Sequence, residues 1–329
     1  MMTSLKRIFS RETTVPSVVS PPMNGDGLIW VSPQSLVALR QVAESVPLWS
    51  SRVRSMQGGG YRSPFKGRGM EFDEVRPYQP GDDVRTLDWR VTARSGKPHT
   101  KLFREERERP VLLWTDLRAS MFFATRGAFK SVIAARTAAI LAWSSLHHGD
   151  RLGGLVFSTE HHRELRPERG KAATVHFIKQ LCEHPVWQQA QSHQPEQDTQ
   201  SILQAAARLR RVARPGSLIF LISDFRHMDK QTEAHLSELA RHNDVVLIFI
   251  SDPLEMELPP PGDYRLSDGE QEIVLDSRNV RVREAYRERF QQHVQRLKQL
   301  CWKHHIHFLP CSTSDNLTQT LRQGLGLAR

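Results

Sequence analysis

The sequence predicts an open, doubly wound α/β fold on a mostly parallel sheet, and three observations carry that prediction. Run 111–115 is apolar at all but its last position, Thr115, and runs 218–222 and 245–250 are apolar at every position, the pattern of strands covered by helices on both faces. Between them, apolar residues recur at helical spacing, so strand and helix alternate along most of the chain. The first two runs lead into acids, Asp116 and Ser223-Asp224, at the strand ends where ligands sit in such sheets.

A chain of 329 residues accommodates one large domain with additions, or two domains. Hydrophobic content of 39% with 25% charged residues is ordinary for a soluble globular protein. Lys and Arg number 46 against 36 acids, a net charge of +10, which permits acidic partners without identifying one. Cys182, Cys301 and Cys311 lie far apart and form no C-x-x-C pair, which argues against a disulfide framework or a zinc site and suits a reducing compartment. No apolar run approaches the ~18 residues of a membrane span. No apolar h-region follows Lys6, Arg7 and Arg11, so a cytoplasmic setting without a secretory signal is expected.

In chain order, residues 1–26 read as a flexible lead-in, 27–110 as a helical arm followed by a charged β cassette, and 111–329 as the α/β domain. Ser32 is the expected N-cap of the arm, Pro33 its first helical residue, and Leu36, Leu39, Val42 and Ala43 its apolar face. A glycine run at 58–60 ends it. The cassette, 67–109, reads as short strands and turns about Pro80-Gly81, with an edge strand near 99–104, a solvated charge run at 105–109 and Trp89 in the core. Beyond the first apolar run come an apolar helix through Phe129–Leu141 spacing, a strand at 152–157, a helix at 171–183 and a Gln-rich loop at 188–197. Asp198-Thr199 opens the next helix, which keeps Ile202, Ala206, Leu209 and Ala213 on one face and ends at Arg214-Pro-Gly216. A helix at 230–242 precedes the run 245–250. An insertion at 259–275 with a hairpin turning at Ser267-Asp-Gly269, a helix at 279–303, a strand at 306–309 and a helix at 315–325 complete the chain.

Chemistry is sparse. Asp116 and Asp224 fall at strand tips, Ser120 adds a hydroxyl four residues after the first, and Thr199 stands at a helix start. Oxygen ligands gathered on one rim suit a hard cation such as Mg²⁺. The plainer interpretation makes Asp116, Asp224 and Thr199 helix caps. His304-His-Ile-His307 straddles a helix–strand boundary and does not converge readily on a transition metal. The chain contains neither a P-loop nor a Gly-x-Ser-x-Gly elbow.

Strand–Asp-x-x-x-Ser–helix, a later Thr and a strand ending Ser-Asp resemble a von Willebrand factor A domain, whose metal-ion-dependent adhesion site is written Asp-x-Ser-x-Ser with a Thr and a second Asp. The cassette sharpens the match. Glu71-Phe72, Arg76-Pro-Tyr78, Pro80-Gly-Asp-Asp83, Arg85, Asp88-Trp89 and Thr92-Ala-Arg94 resemble the bacterial family of unknown function with A-like domains encoded beside MoxR-type AAA+ ATPases. The resemblance spans about residues 66 to 255. It implies that Asp116, Ser120, Thr199 and Asp224 correspond to adhesion-site ligands. Arg118 stands where the motif has its first Ser, and a guanidinium offers a cation no lone pair. Either Arg118 pairs with Asp116 or Asp224 and takes the cation's place, or it points outward and water replaces the missing hydroxyl.

The expected function is therefore a non-enzymatic interaction module, an adaptor or co-chaperone of a MoxR-type AAA+ ATPase acting on an unknown client. Mg²⁺ enters only if the degenerate site still binds metal. Glu71, Arg76, Tyr78, Asp82, Asp83, Arg85, Asp88 and Arg94 are the candidate contacts with a partner. The alternatives are a metal-dependent hydrolase using Asp116 and Asp224, and a basic nucleic-acid-binding protein, for which no basic stripe with interleaved aromatics is found.

Overall fold

The computed structural model describes residues 27–48, 70–79, 82–105, 109–188, 195–267 and 272–326. The lead-in, the glycine run at 58–60, the Pro80-Gly81 turn, residues 106–108 of the charge run, the Gln-rich stretch 189–194 and the Asp268-Gly269 part of the hairpin turn lie outside them.

The arm forms as its signals dictate. Ser32 Oγ accepts a hydrogen bond from Ser35 N and opens α1 (Pro33–Ala38), which continues into α2 (Arg40–Ala43). The cassette pairs β1 (Met70–Pro77) antiparallel with β2 (His99–Glu105), and between them lie a 3-10 turn at Val84–Thr86 and α3 (Trp89–Ser95). That helix is absent from the expected strands and turns, although both of its ends are marked. Asp88 caps the amides of Arg90 and Val91, and Gly96 takes the left-handed φ of 70° at the other end.

The main sheet has six strands. They are β3 (Pro110–Asp116), β4 (Arg151–Phe157), β5 (His162–Arg169), β6 (Leu218–Ser223), β7 (Asp244–Ser251) and β10 (His307–Ser312), while β8 (Asp263–Ser267) and β9 (Glu272–Asp276) make a separate hairpin. The spatial order is β10-β7-β6-β3-β4-β5, with every pair parallel except β4–β5. The order reverses between β3 and β6, so the chain leaves those two neighbours in opposite directions and their carboxyl ends open a crevice. The edge strand β5 was not foreseen. Its sequence, HRELRPER, is polar and largely exposed, and only Leu165 packs against the core.

Side chains alternate across the sheet. Val111 and Leu113 of β3 join one core with α4 (Lys130–His147), α5 (Lys171–Cys182) and α10 (Leu317–Leu325). Leu112 and Trp114 join the opposite core with α6 (Pro195–Val212), α7 (Lys230–His242) and α9 (Val280–Lys303). The arm belongs to the first core: Leu36, Ala43, Val46 and Leu48 are buried there, Trp143 Nε1 donates to Leu36 O, and Ser144 Oγ donates to Val46 O. Trp89, expected inside, is instead 69% exposed. As the first residue of a short helix on a ribbon that pairs with itself, it has no layer to enter.

Candidate functional site at the sheet switch point

Asp116 ends β3, and Asp224 follows β6, on the neighbouring strand. Parallel pairing in register brings both carboxylates to the same rim. Between them lies Arg118, whose side chain is fully buried. Its Nε donates to Asp116 Oδ1 at 3.0 Å and Oδ2 at 3.1 Å, and its Nη2 donates to Oδ2 at 2.7 Å. The same Nη2 stands 3.9 Å from Asp224 Oδ1. Nη1 turns the other way and donates to the carbonyls of Asp198 and Arg226, each at 3.1 Å. The Arg118 amide and the Ser223 hydroxyl also donate to Asp116, at 2.9 and 2.6 Å.

A second buried cation completes the cluster. Lys130 Nζ donates to Asp224 Oδ2 at 2.8 Å and to Glu255 Oε1 at 2.6 Å. Glu255 lies in α8 (Pro253–Met256), where its other oxygen accepts from the Asp252 amide as one half of a capping box. Above it, half-exposed Arg226 reaches Glu255 Oε1 at 3.1 Å. Phe225 and His227, on either side of Arg226, hold left-handed φ values of 53° and 59°, a costly conformation for bulky residues that clusters at functional loops. Burial raises the pKa of Asp224, but the charges of Lys130, Arg118 and Arg226 outweigh it and hold the carboxyl well below its ordinary range. For Arg118, burial opposes the charged form and Asp116, with Asp224 and Asp198, more than compensates.

Of the four positions that the sequence resemblance pairs with adhesion-site ligands, Asp116 and Asp224 lie at this rim. Ser120 Oγ is buried without a hydrogen-bond partner. Thr199 sits in the second turn of α6, because that helix begins at Pro195, and its hydroxyl donates to Pro195 O at 2.9 Å. The preceding Asp198 is the buried one, accepting from Thr159 Oγ1 at 2.9 Å. As they stand, these residues do not fit a metal ion. Both aspartates already accept from buried cations. Among the described residues no group of three or more His, Cys, Asp and Glu is arranged to hold a metal; His307 Nε2 is engaged with Gly324 O at 2.8 Å.

Sequence reasoning placed Ser223 only as part of its strand end and missed Lys130, Glu255 and Arg226. Lys130 carried a usable signal. A cation in the first turn of a helix opposes the macrodipole, and this helix is largely apolar, a local conflict that points to a compensating acid.

In the cassette, Arg76 Nη2 pairs with Asp82 Oδ1 at 2.7 Å, and Tyr78 N donates to Pro98 O at 2.9 Å. Asp83 accepts from the Arg85 amide at 3.0 Å, and Asp88 accepts from the amides of Arg90 and Val91. Arg85 and Arg94 are exposed. Glu71 lies on β1 opposite Arg104.

Fold and site together define a mixed α/β protein whose mostly parallel sheet carries, at its switch point, strand-tip carboxylates matched by side-chain cations. The chain belongs to the family described as "Protein of unknown function DUF58", which matches residues 74–298. It is 30% identical over 265 residues to the uncharacterized protein Mb1516 of Mycobacterium bovis, covering 80% of each chain. The same values hold for the uncharacterized protein Rv1480 of Mycobacterium tuberculosis. Among solved structures, an aerotolerance-related membrane protein from Bacteroides fragilis matches with a TM-score of 0.41 and 15% identity, over 65% of this chain and 94% of that one. The conserved hypothetical protein BatB from Bacteroides thetaiotaomicron matches with a TM-score of 0.39 and 16% identity, over 66% and 96%. No helix among the described residues is long and apolar enough to cross a membrane.

Proposed function

We propose that this chain is a non-enzymatic interaction module built on a von Willebrand factor A-like domain, with a degenerate metal-ion-dependent adhesion site at the switch point. It serves as an adaptor or co-chaperone of a MoxR-type AAA+ ATPase, the partner that the sequence resemblance implies, and the pair acts on a client protein. The observation that carries the reading is Arg118: a fully buried guanidinium pairs with Asp116 and approaches Asp224, in the place a cation would take between them. The same pairing weakens the hydrolase alternative, since Asp116 accepts four donors and neither aspartate is left as a general base.

Two measurements test the reading. Calorimetric titration of the full chain with Mg²⁺ is expected to give no binding that depends on Asp224; binding abolished by Asp224→Asn would restore a working metal site. Affinity capture of the tagged chain from its source cell is expected to enrich an AAA+ ATPase, and failure to do so ends the partner assignment.

A further inference from the structure

The cassette carries more than the switch point does, because its two signs of charge have different duties. Asp82 accepts from the Gln79 amide and Arg76, and Asp83 and Asp88 accept from the backbone amides that open the 3-10 turn and α3. Those carboxylates hold the local fold. By contrast, the exposed side chains of Arg85, Arg90, Arg94 and Lys97 make no hydrogen bond or ion pair among the described residues. Beside them stand two apolar groups that would ordinarily be buried, Trp89 at 69% and Val84 at 59% exposure.

We propose that α3 and the turn before it form a docking surface for an acidic segment of a partner protein. Trp89 and Val84 are the apolar anchor, and Arg85, Arg90, Arg94 and Lys97 the cationic rim. The inference rests on the reading of the chain as an interaction module and adds the partner's chemistry and the contacting residues. Charge complementarity selects the occupant: the described carboxylates here are engaged internally, so the outward charge is positive. A second copy is disfavoured, since a chain of net charge +10 has no acidic excess to offer. Indole and arginine are side chains enriched in protein–protein hot spots. A single-stranded nucleic acid would instead need successive aromatic platforms along a groove, and here one aromatic stands beside a valine.

The test uses the full chain and a fluorescein-labelled Glu/Leu-rich peptide, read by anisotropy, with an oligothymidylate and phosphatidylserine vesicles as competitors. Wild type binds the peptide. Arg85→Glu/Arg90→Glu/Arg94→Glu and, separately, Trp89→Ala each weaken binding by about tenfold or more. A charge-matched control on α9, Arg281→Glu/Arg287→Glu/Lys298→Glu, leaves it within about twofold, as for charges outside an interface. Thermal melts stay at the wild-type value, because every substituted side chain is exposed or half-buried. No peptide binding by wild type, equal loss in the control, or tighter binding of oligothymidylate or vesicles overturns the inference. Capture from the source cell separates the two levels: an ATPase retained by the cassette variant overturns this surface alone, whereas no ATPase on wild type ends the partner assignment whatever the peptide does.

Discussion

Arg118 sets the chemistry of the rim, and its replacement divides two roles that the native side chain combines. It neutralises buried carboxylates, and it fills the space between them. Arg118→Ala leaves Asp116 without its counter-charge and is expected to destabilise the fold by about 3–5 kcal/mol, the usual cost of orphaning one partner of a buried pair. Arg118→Lys does not recover this, because an ammonium lacks the fork that spans both oxygens of Asp116. Arg118→Ser restores a hydroxyl where the adhesion motif has one and vacates the guanidinium's volume. Its melting temperature is expected to rise with added Mg²⁺ while that of wild type does not, and an equal rise in both would defeat the blocking role. Asp224 adds a pH signature. Its folded pKa lies below the ordinary 3.8, so near that value the unfolded chain binds the proton first. The stabilisation is complete above that pKa and is lost as pH falls through the lower folded value. Urea unfolding of wild type should show an acid limb beginning near pH 4, and Asp224→Asn should flatten it.

At the level of elements, the arm is a test of what counts as the domain. Leu36 is completely buried against the sheet's first helical layer, so Leu36→Ala is expected to cost about 2–5 kcal/mol in the single transition of the whole domain. A separate early transition would mean that the arm is only appended. Gly154 of β4 is a second constraint: a Cβ there would stand 2.2 Å from Leu113 O on the adjacent strand. Gly154→Ala must push two paired strands apart, and its loss of unfolding free energy in a denaturant titration should match the upper part of the about 1–3 kcal/mol typical of overpacking. The elements that could be read from sequence are those whose pattern is dictated by burial. The interiors of β3, β6 and β7 are apolar because both faces are covered, and α7 and α9 follow their caps and stripes. β5 was invisible because an edge strand gains its stability from backbone pairing and needs no apolar alternation. α3 was hidden because a seven-residue helix presents too little periodicity to outweigh the turn residues around it. At the site, Asp116 and Asp224 were legible as strand-tip acids, and Arg118 as a departure from a motif. Glu255 was not, since only the right-handed return of β7 beside β6 brings that helix over Lys130.

Across the whole molecule, the ribbon of β1, α3 and β2 and the six-stranded sheet differ in how they are held. The sheet's central strands are covered by two cores, and their amides are freed only when those cores separate. The ribbon's strands pair with each other. It is tied locally, by Asp88 N donating to His99 O, His99 N donating to Thr92 Oγ1, and Thr86 Oγ1 meeting Thr100 Oγ1 at 2.7 Å. Such a unit opens at a lower free energy than the domain that carries it. Native-state hydrogen exchange is therefore expected to fall into two classes. Amides of 218–223 and 245–250 exchange only through global unfolding, with a full dependence on denaturant. Amides of 75–76 and 99–101 exchange through local opening, almost independent of denaturant and unaffected by Leu36→Ala. If the ribbon receives an acidic segment through α3, adding the Glu/Leu-rich peptide must slow both classes by the same factor, because local opening and global unfolding each destroy its site. Slowing confined to the first class would place the binding surface on the sheet domain instead, because local opening of the ribbon leaves a site there intact.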